Sequence, residues 1–496
     1  MSSWFSIQPP SSAASENDNP LGPGIIHPVS SRYDPSGLFG ELNDEDTAWL
    51  AQTSGFVTET QTFYLTLSDG RLAMCQVIHS SVGLWYPQIQ FTFRYFDPNS
   101  KTHVWKSTNV TNFKTPPNLS TPQSASSSSS TQQAPASQKG YDKRSCQADQ
   151  FSILLDPSQP DCYVVTGNHD DSVQLKFKVT RMKDVSGWKL GHDNRGGFTY
   201  FGNQSNQLKK DKSSNFKKPD ITASSDGFLV HRFWPRCSVT GYMVVSGQMI
   251  ELDNSRAIFI HAVQGMRPNL IASRWNFCNF QSLPVQSDEG QPQTDPGVSL
   301  TLMEFTTVPG TYGPAQVISV GSIVVGDRLV AVTCGADPEG KIQAKTTHEG
   351  PFIHDPDTGY KAPSSIRFQW DGPMVERKAL SSGSGQAHAQ ISLDLGAEAR
   401  KDGKNYYTQG LIGKVDVMAE IPYLVKKVVA AVAGAKPYIY TASFYPWMNP
   451  VSASISLPKE HIPEGLESQE DEINKGACNI QVKGYIFNEA TFISDI

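Results

Sequence analysis

Charge is scarce in this chain. Lys, Arg, Asp and Glu make up 18% of its 496 residues, against ~25% in ordinary globular proteins. The 42 basic and 48 acidic side chains leave a net charge of −6. A partner held by counterion release needs a basic surface, so nucleic acid is excluded as the main partner. Long apolar runs are also missing. No stretch approaches the ~18 residues of a membrane span, and residues 1–10 carry neither the basic nor the apolar region of a secretory leader. The seven cysteines are an odd number without a C-x-x-C pair. That excludes zinc ribbons and a disulfide framework, and fits reduced thiols in cytosol or nucleus. What is present in quantity is 39 Gly, 33 Pro and 10% aromatics, a composition that leans to β-structure and tight turns. The length predicts two to four domains, at ~100–200 residues each.

Residues 1–40 read as a disordered N-terminal segment, with a small apolar cluster at Trp4, Phe5 and Ile7. A Ser-rich, uncharged tract over 115–138 reads as a flexible insert. Residues 209–218 form a Lys-rich loop, and an acidic loop lies at about 458–474. Between them run many short strand-like segments. Residues 60–67 and 72–79, joined by Ser68-Asp69-Gly70, read as a hairpin. Over 89–95, Ile89, Phe91, Phe93 and Tyr95 alternate with Gln90, Thr92 and Arg94, the period of a half-buried strand. A faint echo links Phe91–Pro98 to Ile366–Pro373, as two β-domains of similar plan would produce. One helix is predicted over 421–433, where Val425, Val428, Val429 and Val432 share a face, with Pro422 in the first turn and Gly434 at the cap.

Familiar catalytic motifs fail on inspection. Residues 335–341 match a phosphate-binding loop, but Ile342 replaces the required Ser or Thr, so a β-turn is expected. Gly167-Asn-His-Asp170 lacks the companion blocks of a dinuclear metal site and reads as part of a hairpin. His348, Glu349 and His354 have the wrong spacing for a zinc helix, and Pro351 forbids that helix. No metal and no cofactor are expected. What remains is a dense aromatic and cationic stretch between His231 and Phe280. It contains Phe233-Trp-Pro-Arg236, His261, Gln264-Gly-Met-Arg267 and Arg274-Trp-Asn-Phe277, residues that can line a cavity with a few directing donors or serve as core and ion pairs.

Several blocks carry a resemblance: Thr58-Glu-Thr-Gln-Thr-Phe-Tyr64, Thr199-Tyr-Phe-Gly202, Phe233-Trp-Pro-Arg236, Gln264-Gly-Met-Arg-Pro268, Trp275-Asn-Phe277, Met303-Glu-Phe-Thr-Thr307 and Lys436-Pro-Tyr-Ile-Tyr440. In these blocks and their order the chain resembles the fungal survival factor 1 family over roughly residues 40–445. The resemblance implies two tandem lipocalin-like β-barrel domains, placed here at 41–228 and 229–496. It implies a non-catalytic carrier of a ceramide-like lipid, moving it from endoplasmic reticulum to Golgi in survival of oxidative stress. A cytoplasmic monomer is expected, also nuclear and touching those membranes transiently. Relatives begin with an amphipathic membrane helix, and here that segment is interrupted by Pro9-Pro10. The candidate ligand-binding residues are His231, Trp234, Arg236, His261, Gln264, Arg267, Trp275, Asn276, Glu304, Tyr438 and Tyr440. Trp234 and Trp275 are expected as apolar wall, and Arg236, Gln264, Arg267 and Asn276 as hydrogen-bond donors. The alternative is a pericyclase or hydratase on the same scaffold, with His231, Arg236, His261, Arg267 and Glu304 as donors or acid/base groups.

Overall fold

The computed structural model describes residues 26–53, 55–82, 87–100, 102–116, 142–159, 161–193, 195–202, 225–283, 295–335, 342–354, 361–375, 385–395, 411–416, 439–444, 450–463, 466, 469–470 and 476–493. The protein is built from antiparallel strands, and the longest α-helix among the described residues, α1 (Pro268–Ile271), is a single turn. The predicted helix over 421–433, the N-terminal cluster, the Lys-rich loop and the turn expected at 336–341 lie outside the described residues.

The first sheet contains β1 (Phe56–Thr66), β2 (Leu72–Val82), β3 (Gln88–Asp97), β4 (Thr102–Asn109), β5 (Cys146–Gln147), β6 (Phe151–Leu155), β7 (Cys162–Asp170), β8 (Val173–Arg181), β9 (Gly227–Val245) and β10 (Ser255–Gln264). Its order is β4-β3-β2-β1-β10-β9-β8-β7-β6-β5. The bridge Lys114↔Gln147 joins the chain after β4 to β5, so the sheet closes into a barrel. The second sheet contains β11 (Ala272–Ser282), β12 (Ser299–Thr307), β13 (Val317–Val325), β14 (Arg328–Cys334), β15 (Gln343–Glu349), β16 (Ser365–Pro373), β17 (Gln386–Asp394), β18 (Val451–Pro458) and β19 (Ala477–Ile493). Its order is β14-β13-β12-β11-β19-β18-β17-β16-β15. The bridge Ala331↔Met374 brings β14 back to the end of β16. Nine positions of the two orders correspond, β5 alone having no counterpart in the second order, so the molecule is a pair of tandem lipocalin-like barrels.

Two expectations change here. The break at 228/229 moves: β9 and β10 belong to the first barrel, because β10 pairs with β1 from Arg256↔Thr66 to Gln264↔Thr58 and completes the ring. The second sheet begins after α1. The echo of Phe91 and Ile366 also joins strands of different rank. Phe91 lies on β3, whose counterpart is β13, whereas Ile366 lies on β16, the counterpart of β7.

Local chemistry explains the strands. The β1–β2 hairpin turns at Gly70, whose φ of +86° favours glycine and whose Cβ would strike the Tyr485 ring at 2.3 Å. Inward residues of β1–β3 are Phe63, Leu65, Cys75, Val77, Phe91 and Phe93; with Tyr163, Trp234 and Phe259 they fill barrel one. Barrel two is filled by Phe280, Leu302, Ile323, Phe368, Trp370, Ile391 and Ile455, with alanines between them. A third core lies in the seam between the barrels and includes Tyr64, Met74, Phe233, Phe277, Phe305, Val320 and Phe487.

Candidate functional site

Strand β9 decides which candidate residues meet. Its even positions Phe228 and Val230 face the mouth of barrel one, and Trp234 faces the interior. Its odd positions Leu229 and Phe233 face the seam. The register against β10 shifts between Trp234 and Cys237. Pro235 has no N–H to give the ladder, and a bulge there changes the phase of the strand. Cys237 then points into barrel one, and Arg236 turns into the seam.

Arg236 is fully buried and saturated. Its Nη2 donates to Asp295 at 2.5 Å and its Nε to Asp327 at 2.6 Å. Its Nη1 donates to Gln281 Oε1 and the Val298 carbonyl, both at 3.0 Å. This arginine of barrel one therefore clamps the second barrel. A second cross-seam knot joins Tyr64 and Arg94 to Glu489, both at 2.9 Å. Arg94 Nε also donates to His103 Nε2 at 3.1 Å. Burial, helped by the Arg94 charge, pushes His103 down to about 4. His231, held near 4 by burial, lines a seam void of about 10 Å³ with Thr199, Met303, Phe305 and Ser319. That is room for about one water.

The other candidates scatter. Trp234 packs at 5.1 Å on both Tyr163 and Phe259 in the filled core. Trp275 packs on the seam core. Asn276 Nδ2 donates to Glu304 at 2.8 Å inside barrel two, and the Thr346 amide donates to the same carboxylate at 3.0 Å. Burial pushes the Glu304 pKa up, against the pull of those two donors. Tyr438 lies outside the described residues; Tyr440 pairs with Phe492 through its backbone, and its side chain lies outside them. The expected cluster is therefore not one site, and Trp234 and Arg236 do not share a face.

The mouth of barrel one is the place where polar groups and open space come together. A cleft of about 540 Å³ is lined by Ala51, Phe56, Val57, Asp226, Phe228 and Gly265 among others. Gln264 and Arg267 flank Gly265, and the Arg267 guanidinium lies 4.6 Å over the Phe56 ring. Next to the cleft, Val57, Phe198, Tyr200, Phe228, Val230 and Val263 form an apolar layer. Further along the same inward rows of β1, β9 and β10 stand Glu59, Arg232 and His261. Glu59, fully buried, accepts from the amides of Leu50 and Ala51 at 2.9 and 2.8 Å and pairs with His261 Nε2 at 2.9 Å. His261 Nδ1 lies 3.3 Å from the Asp46 carbonyl. The Asp46 carboxylate takes both oxygens to Lys189 Nζ, at 2.9 and 3.0 Å. Sequence reasoning found only His261 of this layer. Strand parity carried the signal: Glu59 follows Val57 and precedes Gln61, Phe63 and Leu65 on the inward row of β1. Among the described residues no group of three or more His, Cys, Asp and Glu could hold a metal ion, and no helix is long and apolar enough to cross a membrane.

A profile of the Svf1 family matches residues 2–494. The chain belongs to the Svf1 family. Ceramide-binding protein svf1 of Aspergillus fumigatus is 29% identical over 486 residues, covering 97% of this chain and 98% of that protein. Ceramide-binding protein SVF1 of Debaryomyces hansenii is 29% identical over 489 residues, covering 98% of both. Among solved structures, CghA superposes on this Svf1-family chain with a TM-score of 0.48 at 8% identity, covering 89% of both chains. So loose a likeness decides nothing about what the chain does.

Proposed function

We propose that this chain is a non-catalytic lipid-binding protein that holds a ceramide-type sphingolipid at the mouth of barrel one. The observation that carries the reading is the nearly end-to-end likeness to proteins named for ceramide binding. The cleft supplies what such a ligand needs. Phe56, Val57 and Phe228 offer apolar wall, where each buried CH₂ gains ~0.8 kcal/mol. Thr53, Ser225 and Asp226 offer partners for a head with hydroxyls and an amide, which must be hydrogen-bonded once out of water. The filled interiors of both barrels favour the mouth over a deep internal pocket. Gln264 and Arg267 are the proposed head-group donors among the residues flagged by sequence.

The wider role belongs to the same proposal. The chain works as a monomer in the cytoplasm, and also in the nucleus. It touches endoplasmic reticulum and Golgi membranes transiently, carries ceramide between them, and supports survival of oxidative stress. With a net charge of −6, membrane contact rests on a local patch and not on overall basicity. The test is extraction of labelled ceramide from liposomes, with mass spectrometry of lipids that co-purify with the full chain. Stoichiometric ceramide is expected. A protein that co-purifies with no lipid and extracts none contradicts the proposal.

A further inference from the structure

Arg232 is a buried cation short of an acceptor. It is 8% exposed, and its Nε has no hydrogen-bond partner among the described residues. The carboxylate in ion-pair range, Asp46, is 3.7 Å from that nitrogen and is already engaged by Lys189 and by the Asn43 amide at 2.9 Å. Glu59 is engaged by two amides and His261. Both ring nitrogens of His261 are already taken up, Nε2 by the Glu59 carboxylate and Nδ1 by the Asp46 carbonyl. Both carboxylates of the layer are thus occupied by other donors, and the Arg232 Nε is left without a hydrogen bond among the described residues.

The surroundings say what kind of anion fits. The Arg232 guanidinium lies 5.3 Å from the Phe198 ring. Phe198 lies 5.7 Å from Phe228, and Phe228 lines the cleft together with Val57. A guanidinium fork matches a carboxylate through two parallel hydrogen bonds. A hydrated inorganic anion would have to shed its water against Val57, Val230 and Val263, with nothing gained from them. An anion carrying an apolar tail gains from the same side chains.

We infer that the mouth of barrel one also takes a long-chain carboxylate, its head on Arg232 and its chain running past Phe198 and Phe228 to the cleft. Entry requires the Phe198–Phe228 pair to part. This ligand class differs from ceramide, which is uncharged, so the two readings stand or fall separately.

The experiment titrates the full chain with the fluorescent fatty acid cis-parinaric acid and with its methyl ester, with inorganic phosphate as competitor. The acid should bind about tenfold more tightly than the ester or better, as expected for a hydrogen bond to a charged group. Arg232→Leu should abolish the difference, Arg232→Lys should retain part of it, and phosphate should not displace the acid. Equal affinity for acid and ester in the wild type overturns the inference. So does a preference that survives Arg232→Leu, or displacement by phosphate. If Arg232→Leu does not fold, the wild-type ratio and Arg232→Lys decide. Loss of ceramide extraction alone leaves this inference standing.

Discussion

The two barrels share one strand order and differ in what fills them. Barrel one is packed with rings and keeps a buried ionic layer, Asp46, Glu59, Lys189, Arg232 and His261, next to an open cleft. Barrel two is packed mostly with aliphatic side chains and alanines around Phe280, Phe368 and Trp370, and its interior holds the buried Asn276–Glu304 contact. Glu59 stands opposite His79 on β1 and β2, and Asn276 stands opposite Glu304 on the corresponding β11 and β12. Buried charge is costly unless paired and hydrogen-bonded, and barrel one carries more of it. The difference teaches that one scaffold can be packed largely apolar in one copy and hold a buried ionic layer beside an open cleft in the other.

The largest way to break this picture is to cut the clamp that makes the barrels one body. Arg236→Ala leaves Asp295 with Arg256 as its remaining arginine, deprives Asp327 of its own, and unpairs the buried Gln281 and Val298 acceptors, and should cost about 3–5 kcal/mol. Calorimetry should then show the single unfolding transition dividing in two. A next step compares the barrels directly. Glu59→Ala orphans two amides and His261, and should cost about 3–5 kcal/mol. Glu304→Ala in barrel two frees only Asn276 and one amide, and should cost about 1–3 kcal/mol. Denaturant midpoints measure both, and equal losses would erase the asymmetry.

Acid sharpens the comparison further. Burial holds His103 and His169 of barrel one, and His348 of barrel two, near 4. Their folded pKa lies below the unfolded value of about 6.5, so the unfolded chain binds more protons. The stability they contribute is complete above pH 6.5 and is lost as pH falls towards about 4. Replacing His103 and His169 together by Gln should flatten the acid limb of a melting-temperature profile more than His348→Gln does. The smallest expected effect is at the cysteines. All seven are buried, and burial pushes the Cys75 and Cys237 thiols up. The native protein should resist a thiol reagent until it is unfolded, and rapid native labelling would show that the cores open.

Much of the fold was legible in sequence because period-2 alternation is local. The alternation of Ile89 to Tyr95 and the turn at Gly70 both reappear as structure. The domain break was not legible, because closing barrel one depends on pairing Gln264 with Thr58, a contact between segments some 200 residues apart. The candidate site was legible in part. His261, Gln264 and Arg267 do lie at or beside the mouth of barrel one. Trp234 and Arg236 were expected at one ligand, as wall and donor, and the bulge at Pro235 sends them to different cores. Arg232 was passed over for His231, although strand parity puts Arg232 on the inward row.

The central claim is that ligand sits at the mouth of barrel one and not within either filled interior. A photoactivatable ceramide, crosslinked to the full chain and mapped by peptide mass spectrometry, tests it most directly. Adducts on residues 51–57, 225–228 and 264–267 are predicted. Adducts concentrated on the inward rows of β16 and β17 in barrel two would contradict the account.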